Sequence, residues 1–151
     1  MPTYNNLKAV VRISGLTSDT IMVKRSVWQG GVVSTLLYLV NVNNLLNGLA
    51  ESGFGSMFMS ICCGNPAYAD DISLLALTPF YLQRMIDIVY QSCQHWNVSI
   101  HVENSSVAVF TKSRLHPSVN IFYGSLPMSQ TDSFVHPGNH YSYNLKNKDR
   151  I

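Results

Sequence analysis

The chain has 151 residues, of which 46% are hydrophobic and 12% are charged, and its formal net charge is +2. This length suffices for one ordinary domain and is too short for two. The charged fraction is low against about a quarter in typical domains, which favours a segment of a larger protein. The net charge is too small to indicate nucleic-acid binding by itself.

Several protein classes are excluded by short features of the sequence. Its cysteines, Cys62, Cys63 and Cys93, give neither an even disulfide set nor the spacing of a zinc site. The N-terminus lacks the apolar core of a signal peptide, and the longest apolar run, residues 32–42, is shorter than the about 20 residues of a spanning helix. We expect an intracellular protein of the nucleus or cytoplasm that is not secreted and has no membrane partner.

The first third of the chain predicts a hairpin and a helix. β-branched residues recur in residues 8–13 and 20–24, and the run between them has turn-forming composition. After Gly30 and Gly31, apolar residues fall on nearly one helical face as far as Asn47, and residues 51–53 supply a stop. A mostly buried helix is therefore predicted here.

The rest of the chain alternates predicted strands with one helix. Residues 56–63 predict a strand, and residues 67–77 predict a hairpin with Asp70 and Asp71 at its tip. Thr78 and Pro79 are typical of a helix start, and apolar residues at steps of three to four follow as far as Trp96. Residues 98–102, 107–110 and 120–123 predict short strands, and the chain becomes polar after residue 138.

Asp70 and Asp71 are the strongest candidates for chemistry. Neighbouring strand residues point to opposite faces, so only a turn lets both carboxylates approach one metal region. Such oxygen ligands bind Mg²⁺, and two ions can clamp the attacking and leaving oxygens of a phosphoryl transfer. The alternative is a solvated turn in which aspartates simply tolerate the backbone. The apolar sequence on both sides of the pair favours the metal site.

Two segments in this order resemble one known family. Tyr68-Ala69-Asp70-Asp71, with the apolar run after it, resembles the catalytic hairpin of reverse transcriptases. Residues 27–38, VWQGGVVSTLLY, are similar to the segment that leads into the palm helix of the non-LTR, LINE-type enzymes. The resemblance covers about residues 4–138, because residues 82–98, 107–110 and 134–138 are similar to the next palm helix, the strand beyond it and the primer-gripping hairpin.

The resemblance implies an α+β fold in which an antiparallel palm sheet carries the aspartates and helices pack on one face. Residues 1–138 would be a partial palm without fingers or thumb, and residues 139–151 a polar tail or the start of a missing thumb or connection. The reaction implied is template-directed nucleotidyl transfer, with Asp70 and Asp71 holding Mg²⁺ or Mn²⁺. An RNA template, a DNA primer and a dNTP would be the partners. The residues implied to contact them are Gln29, Gly30, Gly31 and Tyr68.

The sequence also departs from the family pattern. The family completes its metal site with an aspartate on an upstream palm strand, and no residue here corresponds to it, so we expect the isolated chain to be inactive. Trp28 stands where arginine is usual, Thr35 replaces a proline, and Pro137 replaces a leucine. Asn104 stands about where a lysine would donate a proton, which asparagine cannot do. These differences are explained either by decay, meaning mutations that have removed function, or by neutral sequence drift.

Two other functions are open. One is a non-catalytic retroelement relic that at most binds nucleic acid or a partner protein. The other is a two-metal nuclease, which would use the aspartates but has no use for residues 29–31. Under the palm hypothesis, self-association is expected through apolar surface bared near Val11, Ile13 and residues 107–110.

Overall fold

The computed structural model describes residues 7–23, 32–111, 117–136 and 139–142. The chain divides into two compact units, Met1–Asn44 and Leu45–Ile151. The sequence did not predict this division, and the palm boundary it placed after residue 138 stays a prediction.

The predicted N-terminal hairpin is confirmed. Its strands are β1 (Leu7–Ala9), β2 (Arg12–Ile13), β3 (Leu16–Thr17) and β4 (Ile21–Val23). β1 pairs with β4 and β2 with β3, both antiparallel. The tip is a two-residue turn in which Ser14 and Gly15 both have positive φ, as a type I′ turn requires.

The first predicted helix is also confirmed, as α1 (Val32–Glu51). Leu49, near its end, is fully buried. Leu36 and Val40 are 60% and 57% exposed, so the predicted burial of these two side chains is wrong. The helix ends where expected, because Gly53 turns the backbone with a φ of +70°.

Two hairpins lie between the helices. Their strands are β5 (Met57–Phe58), β6 (Ile61–Cys62), β7 (Ala67–Tyr68) and β8 (Asp71–Ile72). The antiparallel pairing of β7 with β8 confirms the hairpin predicted around the aspartates. The single strand predicted over residues 56–63 is wrong, because β5 and β6 pair around a turn at Met59 and Ser60. Met59 reverses the chain with a φ of +55° and without the glycine or asparagine that marks such turns.

The bases of these two hairpins are joined by backbone hydrogen bonds. The amide of Leu75 donates to the Gly64 carbonyl at 2.7 Å, and the Leu75 carbonyl accepts from the Ser56 amide at 2.8 Å. Gly55 and Gly64 approach closely, since a Cβ added to Gly55 would lie 2.9 Å from the Gly64 Cα. This approach admits no side chain at either glycine.

The second predicted helix is confirmed as α2 (Pro79–Trp96). The Thr78 hydroxyl accepts a hydrogen bond from the Tyr81 amide at 3.2 Å and so caps the N-terminus as expected. Asn97 ends the helix in the left-handed conformation, and its amide donates to the Gln94 carbonyl.

Short strands follow α2. They are β9 (Ser106–Ala108), β10 (Phe122–Tyr123), β11 (Leu126–Pro127), β12 (Ser129–Thr131), β13 (Ser133–His136) and β14 (Asn139–Ser142). β9 and β10 overlap the strands predicted at residues 107–110 and 120–123. The strand predicted at 98–102 is wrong, because that stretch runs irregularly into a short 3₁₀ helix, Val102–Asn104. β14 pairs with β13, so residues 139–142 of the polar C-terminal stretch are extended.

The core of the C-terminal unit is built on α2. Met85 and Ile86 belong to two different buried clusters, so the helix is packed on two sides. The first cluster contains Leu49, Met85, Val89 and Cys93. The second contains Ile86, Val107 and Ile121. Val107 is buried, so the apolar surface expected at that residue is wrong, whereas Phe110, Val11 and Ile13 are exposed as expected.

The architecture confirms the predicted α+β class. The described strands do not form one continuous antiparallel sheet. They form seven two-stranded sheets, and the pair of β9 with β12 is parallel. The strands are too short, at two to four residues, to build a wider ladder across the hairpins. Over these same residues, no helix is both long and apolar enough to cross a membrane.

Candidate metal-binding hairpin

The β7–β8 hairpin places Tyr68 and Asp71 on one face and Ala67 and Ile72 on the other. Tyr68 and Asp71 are direct cross-strand partners, and so are Ala67 and Ile72. Partners in an antiparallel pair share a face, so Tyr68 and Asp71 lie together on one side. Tyr68 is 64% exposed and Asp71 is exposed, whereas Ile72 is half-buried. Asp71 is therefore accessible to solvent, on the face that it shares with Tyr68.

Asp70 occupies the turn itself. Only the first of the two turn residues, Ala69, has a positive φ (+53°), which is the pattern of a type II′ turn. Glycine normally fills this position, and an alanine there costs about 1–2 kcal/mol. Because Asp70 lies outside the strand alternation, its carboxylate is not forced to the face opposite Asp71. The turn thus meets the condition for both acids to approach one cation.

Backbone strain alone does not mark this turn as functional. Met59 has the same left-handed backbone in the neighbouring hairpin, at a φ of +55°. What distinguishes the two turns is chemistry, because the first carries two adjacent carboxylates and the second carries none.

The carboxylates of Asp70 and Asp71 are not offset by an ion pair in the part of the chain that the structure describes. Among the described residues the single ion pair joins Arg84 to Asp87 at 3.8 Å, so neither Asp70 nor Asp71 has a cationic partner. Residues 45–111 contain five carboxylates and one basic residue, Arg84, and the basic residues Lys112 and Arg114 follow directly in the sequence. The five acids are Glu51, Asp70, Asp71, Asp87 and Glu103.

Two aspartates alone would form only part of a metal site. Within the described ranges, no group of three His, Cys, Asp or Glu side chains is placed to hold a metal ion. Mg²⁺ commonly keeps several waters and is held by one or two carboxylates, so the donor set fits Mg²⁺ or Mn²⁺. Binding by this hairpin alone should be weak, because water must supply most of the coordination.

Most of the other predicted site positions cannot be compared with the hairpin. Gln29, Gly30 and Gly31 lie outside the described residues, as do Trp28 and Pro137. Tyr68 is the predicted nucleotide-binding residue that the structure describes, and it lies on the same face as Asp71. The backbone of Thr35 lies in α1, and Asn104 is exposed at the end of the 3₁₀ helix.

Sequence reasoning missed the contact that fastens the 122–127 hairpin to α2. The Gln83 side-chain amide accepts from the Phe122 amide and donates to the Phe122 carbonyl, both at 2.9 Å. It also donates to Asp87 at 2.8 Å. The Gln83–Asp87 hydrogen bond could have been predicted, because residues four apart on a helix lie side by side. Nothing in the sequence indicates the contact between Gln83 and Phe122.

A groove beside the end of α2 was also not predicted. Its volume is about 240 Å³, and its lining includes Tyr90, Gln94, Ser99 and Tyr123. The rings of Tyr90 and Tyr123 meet edge to face, with their centroids 5.1 Å apart. Partial burial and a hydrogen bond with Cys93 raise the pKa of Tyr123 far above its ordinary value. The described lining carries no charged residue.

Comparison of the chain with protein-family models, with curated proteins and with solved structures finds no match. A function for the chain therefore has to be inferred from the hairpin residues and from the resemblance in the sequence.

Proposed function

We propose that this chain is a segment of the palm of an RNA-directed DNA polymerase of the non-LTR retrotransposon type. The parent enzyme transfers deoxynucleotides from dNTPs to the end of a DNA primer on an RNA template. The observation that carries the proposal is the Tyr68–Asp71 hairpin. Its strained turn offers Asp70, and its open face offers Asp71, to a hydrated divalent cation.

The order of the elements supports the same proposal. α1 precedes the acidic hairpin, α2 follows it, and β9 comes next, in the order that the resemblance expects. The antiparallel pair of β13 and β14 falls where the primer-gripping hairpin is expected. The periodicity and turn chemistry that predict these two helices and the acidic hairpin do not depend on the family pattern.

In this proposal Asp70 is the main metal ligand, and Asp71 completes the contribution of the hairpin. Tyr68 lies beside the primer end, while Gln29, Gly30 and Gly31 contact the nucleotide and the template. Two cations would stabilise the attacking and leaving oxygens, and a carboxylate from another strand is needed to hold both. We therefore expect this chain alone to bind Mg²⁺ weakly and not to extend primers. The proposed place of action is the nucleus or the cytoplasm.

The second candidate is a non-catalytic relic of such an enzyme. It is favoured by the lack of a third metal-binding side chain near the hairpin in the part that the structure describes. Trp28 and Asn104 point the same way, since neither can supply the charge or the proton that the family uses at those positions.

A domain-swap assay separates these two candidates. Residues 4–138 would replace the matching palm segment of an active non-LTR reverse transcriptase, which supplies the upstream aspartate, the fingers and the thumb. Primer extension on poly(rA) with Mg²⁺ or Mn²⁺ is measured for the chimaera and for its Asp70→Asn variant. A second pair of chimaeras carries Trp28→Arg with Asn104→Lys, with and without Asp70→Asn.

Extension that is lost with Asp70→Asn would support a working palm. Extension seen only after Trp28→Arg and Asn104→Lys, and lost again with Asp70→Asn, would support a palm that has decayed at those two positions. A folded, template-binding chimaera that is silent in all four forms would contradict the polymerase proposal and favour the relic.

A further inference from the structure

The β5–β6 hairpin exposes an unusual amount of apolar side chain. Met57, Phe58, Met59 and Ile61 are 55%, 68%, 88% and 63% exposed, and the cross-strand partners Phe58 and Ile61 share one face. Single exposed apolar residues are normal on a protein surface, but a contiguous group marks an interaction site.

The edges of this hairpin lack the features that normally prevent strand pairing. β5 and β6 form a two-stranded sheet, so each strand has an outer edge that pairs with no other described strand. Native edges are usually protected by lysine, proline or inward charges. Residues 56–63 contain no charged residue, no proline and no glycine. The hairpin is therefore open to an additional strand.

The charge distribution identifies what can occupy that edge. The 18 residues from 52 to 69 carry no charge, so two copies of this segment can lie opposite each other without like-charge repulsion. The net charge of +2 adds little long-range repulsion between chains. Nucleic acid is a poor occupant, because residues 52–69 contain no lysine or arginine to contact phosphates.

We propose that the β5–β6 hairpin is a self-association surface, on which a second copy of this chain pairs edge to edge about a two-fold axis. Such an interface is isologous, because each copy offers the same uncharged strand edge and the same apolar side chains. This relocates the self-association expected from the sequence, which placed part of it at the now buried Val107. The proposal does not depend on polymerase activity.

The size of the surface sets the strength of the association. A standard interface uses about 800 Å² and 20–30 residues from each partner. The hairpin spans only Met57 to Cys62, so the dimer should be weak and reversible, with a dissociation constant of about 1 µM or higher. Association should therefore depend on concentration in the micromolar range and above.

The test is sedimentation velocity of the full chain over a concentration series, with two matched variants. Phe58→Lys places like charges opposite each other in the proposed pair. Leu16→Lys makes the same change at a side chain that is 78% exposed in the other unit. Far-UV circular dichroism checks that both variants retain the wild-type fold. A bismaleimide cross-linker gives a second readout, because Cys63 is exposed and Cys93 is buried.

The wild-type chain and Leu16→Lys should associate equally, and Phe58→Lys should weaken association by about tenfold or more. Because Cys62 is only partly buried, cross-linked dimer should disappear when both Cys62→Ser and Cys63→Ser are made, and it should persist in Cys93→Ser. A wild-type chain that stays monomeric throughout the series would overturn the proposal. So would an equal effect of the two lysine variants, or a dimer that Phe58→Lys leaves unchanged.

Discussion

Helix α2 and the two hairpins before it are neighbours in the sequence but are stabilised in different ways. The helix has a capped end at Thr78 and side chains such as Met85 in the core. The hairpins expose most of their side chains, from Phe58 to Tyr68, and are held together at their bases by backbone hydrogen bonds and a contact between glycines. Tertiary packing fixes the first region, and local backbone geometry fixes the second.

The residues that stabilise the fold are therefore different from the residues that could bind a ligand. The side chains that hold the C-terminal unit together are apolar and lie on α2, whereas the carboxylates available to a ligand lie on an exposed and strained turn. Binding residues are often carried in this way, on loops that a packed scaffold positions. Substitutions in the two regions should therefore have effects of different size and different kind.

The largest expected effect is at the centre of the core. Met85 has no exposed surface, so Met85→Ala should lower the free energy of unfolding by about 2–5 kcal/mol through lost packing and a residual cavity. Urea denaturation followed by circular dichroism measures this change. Leu77→Ala is the control, because Leu77 is 82% exposed, and it should change stability by less than about 0.5 kcal/mol. Equal effects would break the distinction between core and surface.

The next effect tests the glycine contact at the base of the hairpins. A Cβ at Gly64 would overlap the backbone of Gly55, so Gly64→Ala should cost about 1–3 kcal/mol. Gly48 lies inside α1 with no neighbouring atom within 4 Å of an added Cβ. Gly48→Ala should therefore stabilise the protein by about 0.5–1 kcal/mol. Thermal unfolding of both variants measures whether each substitution stabilises or destabilises the protein. A Gly64→Ala variant as stable as the wild type would show that the close approach of the two glycines is absent in solution.

A smaller effect, of opposite sign, is expected at the acidic turn. Ala69→Gly should raise the free energy of unfolding by about 1 kcal/mol, because glycine accepts the positive φ without strain. The matched change Ala67→Gly, on the adjoining strand, should cost about 0.5–1 kcal/mol. Denaturant titration measures the free energy of unfolding of the two variants. Destabilisation by Ala69→Gly would contradict a positive φ at that residue.

The smallest effect at neutral pH concerns Tyr123. Its pKa is raised by partial burial and by the hydrogen bond with Cys93, while the unfolded chain titrates near 10. Above that pH the unfolded state binds fewer protons than the folded state, so the free energy of unfolding falls as pH rises. The contribution of Tyr123 to the free energy of unfolding is therefore fully present below about pH 10 and is lost as the pH rises further.

Unfolding measured between pH 8 and about 11 should therefore show a decline that Tyr123→Phe reduces, since pH 10 lies inside that range. Tyr68→Phe, at an exposed position, serves as the control and should leave the decline unchanged. An equal decline in wild type and Tyr123→Phe would mean that another group causes it.

The sequence predicted the elements whose signals are local. Thr78 and Pro79 marked the start of α2, Gly53 marked the end of α1, and the polar break at Asp70 and Asp71 marked a hairpin. Each of these positions is decided by capping, by turn chemistry or by hydrophobic periodicity.

Elements without a local signal were missed. The turn at Met59 uses a residue that seldom adopts positive φ, so residues 56–63 were predicted to form one strand. The Gln83–Phe122 contact joins residues 39 positions apart, and the burial of Val107 depends on Ile86 and Ile121. Such long-range contacts leave no periodic pattern. The aspartate pair was predicted because adjacent acids in an apolar setting are themselves a local signal.

The most direct measurement is Mn²⁺ binding to the full chain, followed by electron paramagnetic resonance with Mg²⁺ as competitor. Asp70→Asn and Asp71→Asn should each weaken Mn²⁺ binding by about tenfold or more, because even the outer partners of a metal site have effects of that size. Glu103→Gln, a matched change at another exposed acid, should leave binding unchanged. Equal Mn²⁺ binding by all four proteins would contradict a metal site at the Tyr68–Asp71 hairpin.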